Sequence, residues 1–183
     1  MRRKVKELMS AATSLAVVSE DSTLFEAILS IGVLRNQNAS LGLGLRCPAA
    51  LVSNGDHTIT GFLDFRNLLK SLEPKYEEIA GSVEKRAISP GWLKSELQKY
   101  GLWANALDDI CKKAGELVIK NMMTVPVENQ ITDANASLNE AVFQMVVTGN
   151  DYLFVRNGEM LAGIICLSDI LTHICDTVKA CRI

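Results

Sequence analysis

Hydrophobic and polar positions follow the same order twice along this chain. Apolar residues spaced three and four apart predict one amphipathic helix in each half. They are Leu24, Ile28, Ile31 and Leu34 in the first half, and Leu138, Val142, Met145 and Val146 in the second. A β-rich segment precedes each helix, at residues 15–18 and 130–132, and a short helical lead-in precedes that segment, around residues 3–9 and 115–123.

Two further strands and a last helix complete each half. The apolar runs Ala49–Val52 and Tyr152–Val155 both lead to Asn-Gly, a strong hairpin signal because both residues tolerate positive φ. Return strands are predicted near residues 58–63 and 160–165, and final helices begin near Phe65 and Leu167. The predicted fold class is α/β (α+β), with two β-α-β-β-α repeats in a pseudo-twofold pair.

The two halves also share residues at matching positions. Residues 22–28 match residues 136–142 without a gap, and residues 5–10 resemble residues 119–124 at the same offset of 114. Within these matches, Thr23 and Ser137 stand where the helices begin. Glu26 and Glu140 follow three residues later, which is the spacing of a capping box. The repeat therefore preserves a helix-starting device as well as a hydrophobic pattern.

A long amphipathic segment separates the halves. Ser89-Pro90 is a good helix start, and the apolar stripes behind it predict two or three helices that pack on the repeats or on a second subunit. Trp92 and Trp103 are interpreted as core or interface anchors. The predicted domains are a first repeat at residues 1–72, a helical insertion at 73–117 and a second repeat at 118–183.

The first half carries an additional loop between its helix and its middle strand. Residues 35–48 include Gly42 and Gly44, which are typical either of a phosphate cradle or of a surface loop. Because no helix start follows this Gly-x-Gly, the surface loop is favoured.

Composition excludes several classes of function. The 183 residues include 19 basic and 21 acidic side chains, a formal charge of −2, so there is no basic excess to bind nucleic acid or an anionic membrane. No run approaches the roughly 18 apolar residues of a membrane-spanning helix. No apolar stretch follows the first four residues, as a signal peptide would require. We expect a soluble, cytoplasmic protein.

Cysteine and histidine suggest neither a metal site nor catalysis. The five cysteines contain no CxxC pair, and we expect reduced, mostly buried thiols. His57 and His173 are expected on the surface, and no local motif supplies an orienting group or an oxyanion hole for a Cys-His pair. We therefore predict no catalytic residues, no metal and no required cofactor.

The order of elements and the repeated motifs resemble a tandem pair of CBS domains, named after the regulatory domain of cystathionine β-synthase. The resemblance rests on residues 5–10 with 22–69, and on 119–124 with 136–171, and leaves the insertion outside. It implies that the halves pack through their sheets and leave two symmetry-related clefts. It further implies that these clefts bind AMP, ADP, ATP or S-adenosylmethionine, and that the chain forms a homodimer.

The resemblance also implies the ligand-binding residues. After the last strand the family has glycine, two apolar residues, Ser or Thr, any two residues, and an Asp that binds ribose. The second copy places Cys166 at the hydroxyl position and Asp169 at the ribose position, with Ser168 nearby. Ser168 and Asp169 are also typical helix caps, and this alternative stays open.

The first copy departs further from the family signature. Asp64 stands at the hydroxyl position and Asn67 at the ribose position, while Arg66 either pairs with a phosphate or is a solvated surface residue. The resemblance places the base pocket at the lead-ins and at Tyr152, which either stacks on a base or packs in the core. The lead-in residues concerned are Thr13, Ser14, Thr124 and Val127.

Two functions follow from this pattern. The leading hypothesis is a non-enzymatic regulatory module that binds an adenosine-containing ligand between its repeats and signals to an unidentified effector protein or to its own oligomer. The alternative is a structural protein-interaction module with degenerate clefts, which uses the helical insertion as its surface. Cys166 and Asn67 favour the alternative, because both depart from the signature.

Overall fold

A computed structural model describes residues 3–40, 49–73, 75–76, 78–79, 88–102 and 110–180. The Gly42–Gly44 loop, Trp103, Cys47 and Cys181 lie outside these residues. The first repeat contains β1 (Ser10–Ala11), β2 (Val17–Ser19), α1 (Leu24–Ser40), β3 (Ala49–Ser53), β4 (Ile59–Asp64) and α2 (Phe65–Leu72). The insertion contains α3 (Pro90–Tyr100) and α4 (Ile110–Glu116). The second repeat contains β5 (Ile131–Asp133), α5 (Leu138–Thr148), β6 (Tyr152–Asn157), β7 (Met160–Cys166) and α6 (Leu167–Ala180).

The predicted α/β class and the repeated order of elements are confirmed. Both capping boxes form: the backbone N–H of Ser137 donates to Glu140 Oε2 at 2.6 Å, and that of Thr23 donates to Glu26 Oε2 at 2.8 Å. The predicted start of the insertion helix is also confirmed, because the Ser89 hydroxyl accepts from the Trp92 N–H and Pro90 opens α3.

The predicted helical lead-ins are only partly right. Val5–Glu7 and Ile119–Asn121 form single 3-10 turns, and a two-residue strand, β1, follows the first. Residues this few cannot satisfy helix hydrogen bonds among themselves, so their backbone pairs with neighbouring segments instead. The strands that directly precede α1 and α5 begin later than predicted, at Val17 and at Ile131.

Two sheets with the same internal order form the centre of the fold. In the first, β3 pairs with β2 in parallel and with β4 antiparallel; in the second, β6 pairs with β5 in parallel and with β7 antiparallel. The sheets meet through Phe62 and Phe154, whose ring centroids are 4.6 Å apart. These rings belong to a buried cluster completed by Leu51, Ile164 and Cys166.

The lead-in of each repeat crosses to the other repeat. We call residues 3–14 the first lead-in and residues 117–127 the second lead-in. In the first lead-in, β1 pairs antiparallel with β7, and Val5 is buried in the core of the second repeat. In the second lead-in, Thr124 pairs with Phe62 on β4, and Ile119 is buried in the core of the first repeat. The repeats are therefore interlocked in space, although they follow one another along the chain.

The described helices include none that is long and apolar enough to cross a lipid bilayer.

Candidate functional site

A cavity of about 330 Å³ lies where the two repeats meet. We call it the interrepeat cavity. The first repeat contributes Asp64, Phe65 and Arg66, and the second contributes Gln130 and Gly149–Tyr152. A ligand in this cavity would therefore touch both repeats at once.

The end of β4 and the start of α2 hold the first-repeat side chains of this cavity. Asp64 is the last residue of β4 and caps α2, because one of its carboxylate oxygens accepts from the backbone N–H of Asn67 at 2.6 Å. This cap fixes the direction in which α2 leaves the sheet. Arg66, in the first turn of α2, is exposed at the mouth of the cavity.

Tyr152 is held at the start of β6 by aromatic packing. Its ring meets Phe154 edge-on at 5.6 Å between centroids and Phe62 edge-on at 6.2 Å. The core-packing alternative is therefore realised, because the half-buried ring packs against Phe62 and Phe154; the same residue also lines the interrepeat cavity, and stacking on a base remains a prediction. A ring fixed in this way can stack on a ligand at little conformational cost.

The lining carries more negative than positive charge. Asp64 and Asp151 supply two carboxylates against the single guanidinium of Arg66. Carboxylates accept hydrogen bonds from hydroxyl groups such as those of ribose, and the guanidinium can bind one phosphate. This balance suits a ligand of low negative charge better than a triphosphate.

Asn67, at the family's ribose position, lies in a separate groove. Its side-chain amide donates to the Thr124 hydroxyl across the repeat boundary. The groove, of about 400 Å³, runs between α2 and the second lead-in and is also lined by Lys70, Ser71 and Met123. The structure thus brings Asn67 and Thr124 together, and separately brings Asp64, Arg66 and Tyr152 together.

The second-repeat residues that match the family signature lie at the start of α6. Asp169 is buried, and its carboxylate accepts from the backbone N–H of Cys166 at 3.1 Å, which is the geometry of a helix-starting contact. Cys166 is buried between the sheets, whereas Ser168 is exposed. The capping alternative is thus realised for Asp169, and a ligand role for Asp169 remains a prediction.

The other lead-in candidates are exposed. Thr13 and Ser14 lie in the 3-10 turn Ala12–Ser14, which contacts β7, and the Ser14 hydroxyl donates to the Ala11 carbonyl. Val127 is more than half exposed, and its N–H donates to the side chain of Gln130, a cavity residue.

Several cavity residues were not singled out from the sequence. Gln130, Asn150 and Asp151 carry no motif of their own. Only their position in the sequence could have indicated a role: Asn150 and Asp151 directly precede β6, which begins at Tyr152.

Two expectations about cysteine and histidine are wrong. Cys111 and Cys175 are exposed, so buried thiols do not predominate among the described cysteines. His173 is buried, because its position on α6 faces the protein interior, and its Nε2 has no hydrogen-bond partner among the described residues. The residues that the structure describes contain no cluster of three or more His, Cys, Asp or Glu side chains arranged to hold a metal.

Comparison with known proteins agrees with this architecture. The family model of the CBS domain matches residues 114–176, which include most of the second repeat. A search of curated proteins finds no match. Residues 114–176 are therefore a CBS domain, and the chain as a whole has the fold of a CBS-domain pair.

Solved structures with this fold cover almost the whole chain. The CBS-pair protein CBSX2 from Arabidopsis thaliana is 14% identical over 98% of this chain and 99% of its own, with a TM-score of 0.61. A structure of CBSX2 in complex with AMP is 13% identical over 96% and 98%, with a TM-score of 0.54. The CBS domain of a CBS-domain-containing membrane protein from Sphaerobacter thermophilus is 17% identical over 93% and 87%, with a TM-score of 0.55.

Proposed function

We propose that this protein is a non-catalytic regulatory module that binds an adenosine-containing ligand in the interrepeat cavity. The observation that carries the proposal is that one cavity joins Asp64 and Arg66 of the first repeat to Tyr152 of the second. A ligand that contacts both repeats can favour one arrangement of them over another, and so change the affinity for an effector protein or a second copy. The AMP complex of CBSX2, a protein of the same fold, supports this class of ligand.

The charges around the cavity favour particular members of that class. Two carboxylates beside one guanidinium repel a triphosphate, tolerate one phosphate and accept a sulfonium cation. We therefore propose that AMP and S-adenosylmethionine bind more tightly than ATP, by about tenfold or more.

Calorimetric titration with AMP, ADP, ATP and S-adenosylmethionine tests the proposal. We expect Arg66→Met to weaken AMP binding by about tenfold, as for the loss of a charged hydrogen bond, and to weaken S-adenosylmethionine binding less. Lys94→Met removes an exposed cation from α3 and serves as the matched control.

Asp169→Ala tests whether that carboxylate also contacts the ligand, with a thermal melt to separate loss of binding from loss of the helix start. Absence of binding below millimolar concentration for all four ligands would exclude the nucleotide function.

Self-association through the helices of the second repeat is the second part of the proposal. Large apolar side chains are between 46% and 71% exposed along the adjacent helices α5 and α6. They are Phe143, Val146, Val147, Leu171, Ile174 and Val178. Large exposed apolar side chains on neighbouring helices are typical of protein–protein contacts. We propose a homodimer across this face. Light scattering of the wild type and of Phe143→Asp checks it, with a dimer expected only for the wild type.

A purely structural interaction module is the competing function. It is favoured by Leu93 and Leu97, both about half exposed on α3 of the insertion. Under this alternative, no adenosine ligand binds, and substitution of Leu93 and Leu97 by Asp abolishes a partner contact that Arg66→Met leaves unchanged. The Leu93/Leu97 double variant and Arg66→Met therefore distinguish the two functions, because each is expected to affect only one of them.

A further inference from the structure

A second cavity lies between the tips of the two hairpins. We call it the hairpin cavity; its volume is about 380 Å³, within the range of small-molecule sites. Ile59, where β4 begins, and Arg156, near the end of β6, line it. The interrepeat cavity uses the opposite ends of the same strands, at Asp64 and Tyr152. The two cavities are therefore separate sites.

The floor of the hairpin cavity is apolar. Phe154 is buried there, and Ile59, Ile131 and Leu161 are half buried beside it. Val125 and Pro126 of the second lead-in complete the wall. The hydrocarbon part of a ligand would cover this surface and remove it from water.

The rim carries one positive and one negative side chain of the second hairpin. Arg156 and Glu159 flank the Asn-Gly turn, and both line the cavity. Within the described part of the chain, neither side chain has a salt bridge or a side-chain hydrogen bond, and they do not pair with each other. Both charges are therefore available to a ligand that lies on the apolar floor.

The first hairpin closes the cavity with a residue that has no counterpart in the second repeat. The stretch from Asn54 to Gly61 is one residue longer than that from Asn157 to Gly163. Asn54 Oδ1 accepts from the N–H groups of Asp56 and Thr58, so the longer turn is ordered. His57 adopts a φ of 59° in this turn and lines the cavity. The site is thus particular to the contact between two unequal hairpins, and is not part of the internal repeat.

We propose that the hairpin cavity binds a small apolar α-amino acid. The carboxylate pairs with Arg156, the ammonium group pairs with Glu159, and the side chain covers Ile59, Ile131 and Phe154. The carboxylate of a simple carboxylic acid would lie near the negative charge of Glu159, which repels it. The ammonium group of a simple amine would lie near the positive charge of Arg156, which repels it likewise. A zwitterion with an apolar side chain matches both charges and the floor.

Calorimetric titration of the full chain with L-leucine and L-phenylalanine tests this proposal. We expect at least one of them to bind with a Kd below about 1 mM. For leucine, 4-methylpentanoate lacks the ammonium group and isoamylamine lacks the carboxylate, and we expect each to bind at least about tenfold more weakly than leucine. Failure of both amino acids to bind at about 10 mM, or equal affinity for leucine and both analogues, overturns the proposal.

Variants of the rim test the assigned contacts. We expect Arg156→Met and Glu159→Gln each to weaken binding of the amino acid by about tenfold or more, because both side chains are exposed and make charged contacts only with the ligand. Lys112→Met and Glu116→Gln likewise remove one positive and one negative charge, at exposed positions of α4, and should leave the affinity unchanged. AMP titration of Arg156→Met reports separately on the interrepeat cavity. Unchanged amino-acid affinity in both rim variants would assign the binding elsewhere and overturn the site.

Discussion

Gly61 and Gly163 lie where the lead-in of one repeat passes close to a strand of the other. A Cβ atom on Gly61 would lie 2.9 Å from the carbonyl oxygen of Thr124. A Cβ atom on Gly163 would overlap the carbonyl oxygen of Ser10 and lie 3.2 Å from the Cα of Ala11. The two copies thus share a glycine at this position because a crossing backbone occupies the space of a side chain.

Gly163→Ala should therefore destabilise the fold. Its new methyl group meets backbone rather than a flexible side chain, so β1 must move away from β7, and we expect a loss of about 1–3 kcal/mol in the free energy of unfolding. Urea denaturation measures it. Gly32→Ala is the control, because nothing lies within 4 Å of that Cβ position on α1. Alanine there should be neutral or stabilising by up to about 1 kcal/mol. Equal effects of the two substitutions would contradict the crossing.

Glu20 and Lys120 form an ion pair that joins the first repeat to the second lead-in. The Lys120 ammonium lies 2.9 Å from Glu20 Oε1, and the Thr60 hydroxyl donates to the other oxygen at 3.0 Å. Hydrogen bonds from Lys120 and then Thr60 lower the pKa of Glu20, and the bond to Glu20 raises the pKa of Lys120. The pair therefore favours the charged form of both groups.

These shifts predict a pH dependence of stability. The contribution of Glu20 is present above its unfolded-state pKa of about 4.3 and is lost as pH falls through the lower folded-state value. The contribution of Lys120 is present below its unfolded-state pKa of about 10.4 and is lost as pH rises through the higher folded-state value. The stability difference between the wild type and Glu20→Gln should thus be largest near neutral pH and vanish in strong acid. Denaturation midpoints across pH measure it, and Glu116→Gln should show no such profile.

At the scale of elements, the helix starts are set by local hydrogen bonds. In α5 the Ser137 hydroxyl accepts from the Glu140 N–H at 3.3 Å, while Glu140 accepts from both the N–H and the hydroxyl of Ser137. These bonds lower the pKa of Glu140. Thr23 and Glu26 form the same arrangement at α1. Such contacts need only residues three apart, which is why they can be read from the sequence.

Ser137→Ala should cost about 1 kcal/mol in the free energy of unfolding, the usual effect of removing a helix cap. The Ser30 hydroxyl, in contrast, donates to the Glu26 carbonyl within α1 and caps nothing. Ser30→Ala is therefore the matched control and should be neutral or slightly stabilising. Urea denaturation of the pair tests this. A cost for Ser30→Ala as large as that for Ser137→Ala would show that the cap is not the cause.

At the scale of the whole molecule, the two repeats complete each other. Val5, in the first lead-in, is fully buried in the core of the second repeat. Ile119, in the second lead-in, is fully buried in the core of the first repeat. The backbone follows the same exchange, since the N–H of Val5 donates to the carbonyl of Ala136 and that of Ile119 to the carbonyl of Ser22. Separation of the repeats would therefore remove part of both cores.

Val5→Ala should weaken the second repeat more than the first. We expect a loss of about 2 kcal/mol from the vacated core volume, whereas Val17→Ala, on a half-exposed side chain, should change stability by less than about 0.5 kcal/mol. Hydrogen exchange locates the effect, which should appear mainly in the amides of β6 and β7. Greater loss of protection in β3 and β4 would mean that the lead-ins do not cross.

Much of the fold could be predicted from the sequence, and less of the candidate site. The hairpins at Asn54 and Asn157, the capping boxes and the start of α3 depend on residues close together in the chain. The site depends on distant contacts: the side chain of Asn67 bonds to Thr124 and lines a different cavity from Asp64, and Tyr152 meets residues of the other repeat. The burial of His173 was missed because the apolar stripe of α6 at Leu171, Ile174 and Val178 is exposed. His173 instead shares the buried side of the helix with Ile170, three residues before it.

The repeated β-α-β-β-α order follows from local features of the chain, because hydrophobic period, turn residues and caps act over a few residues. The crossing of the lead-ins arises only in the folded molecule, because their short 3-10 turns and strands carry too few local hydrogen bonds to select a partner. The crossing of the lead-ins and the packing of Phe62 on Phe154 determine which residues line the interrepeat cavity. The same packing also placed the unequal hairpins side by side and created the hairpin cavity.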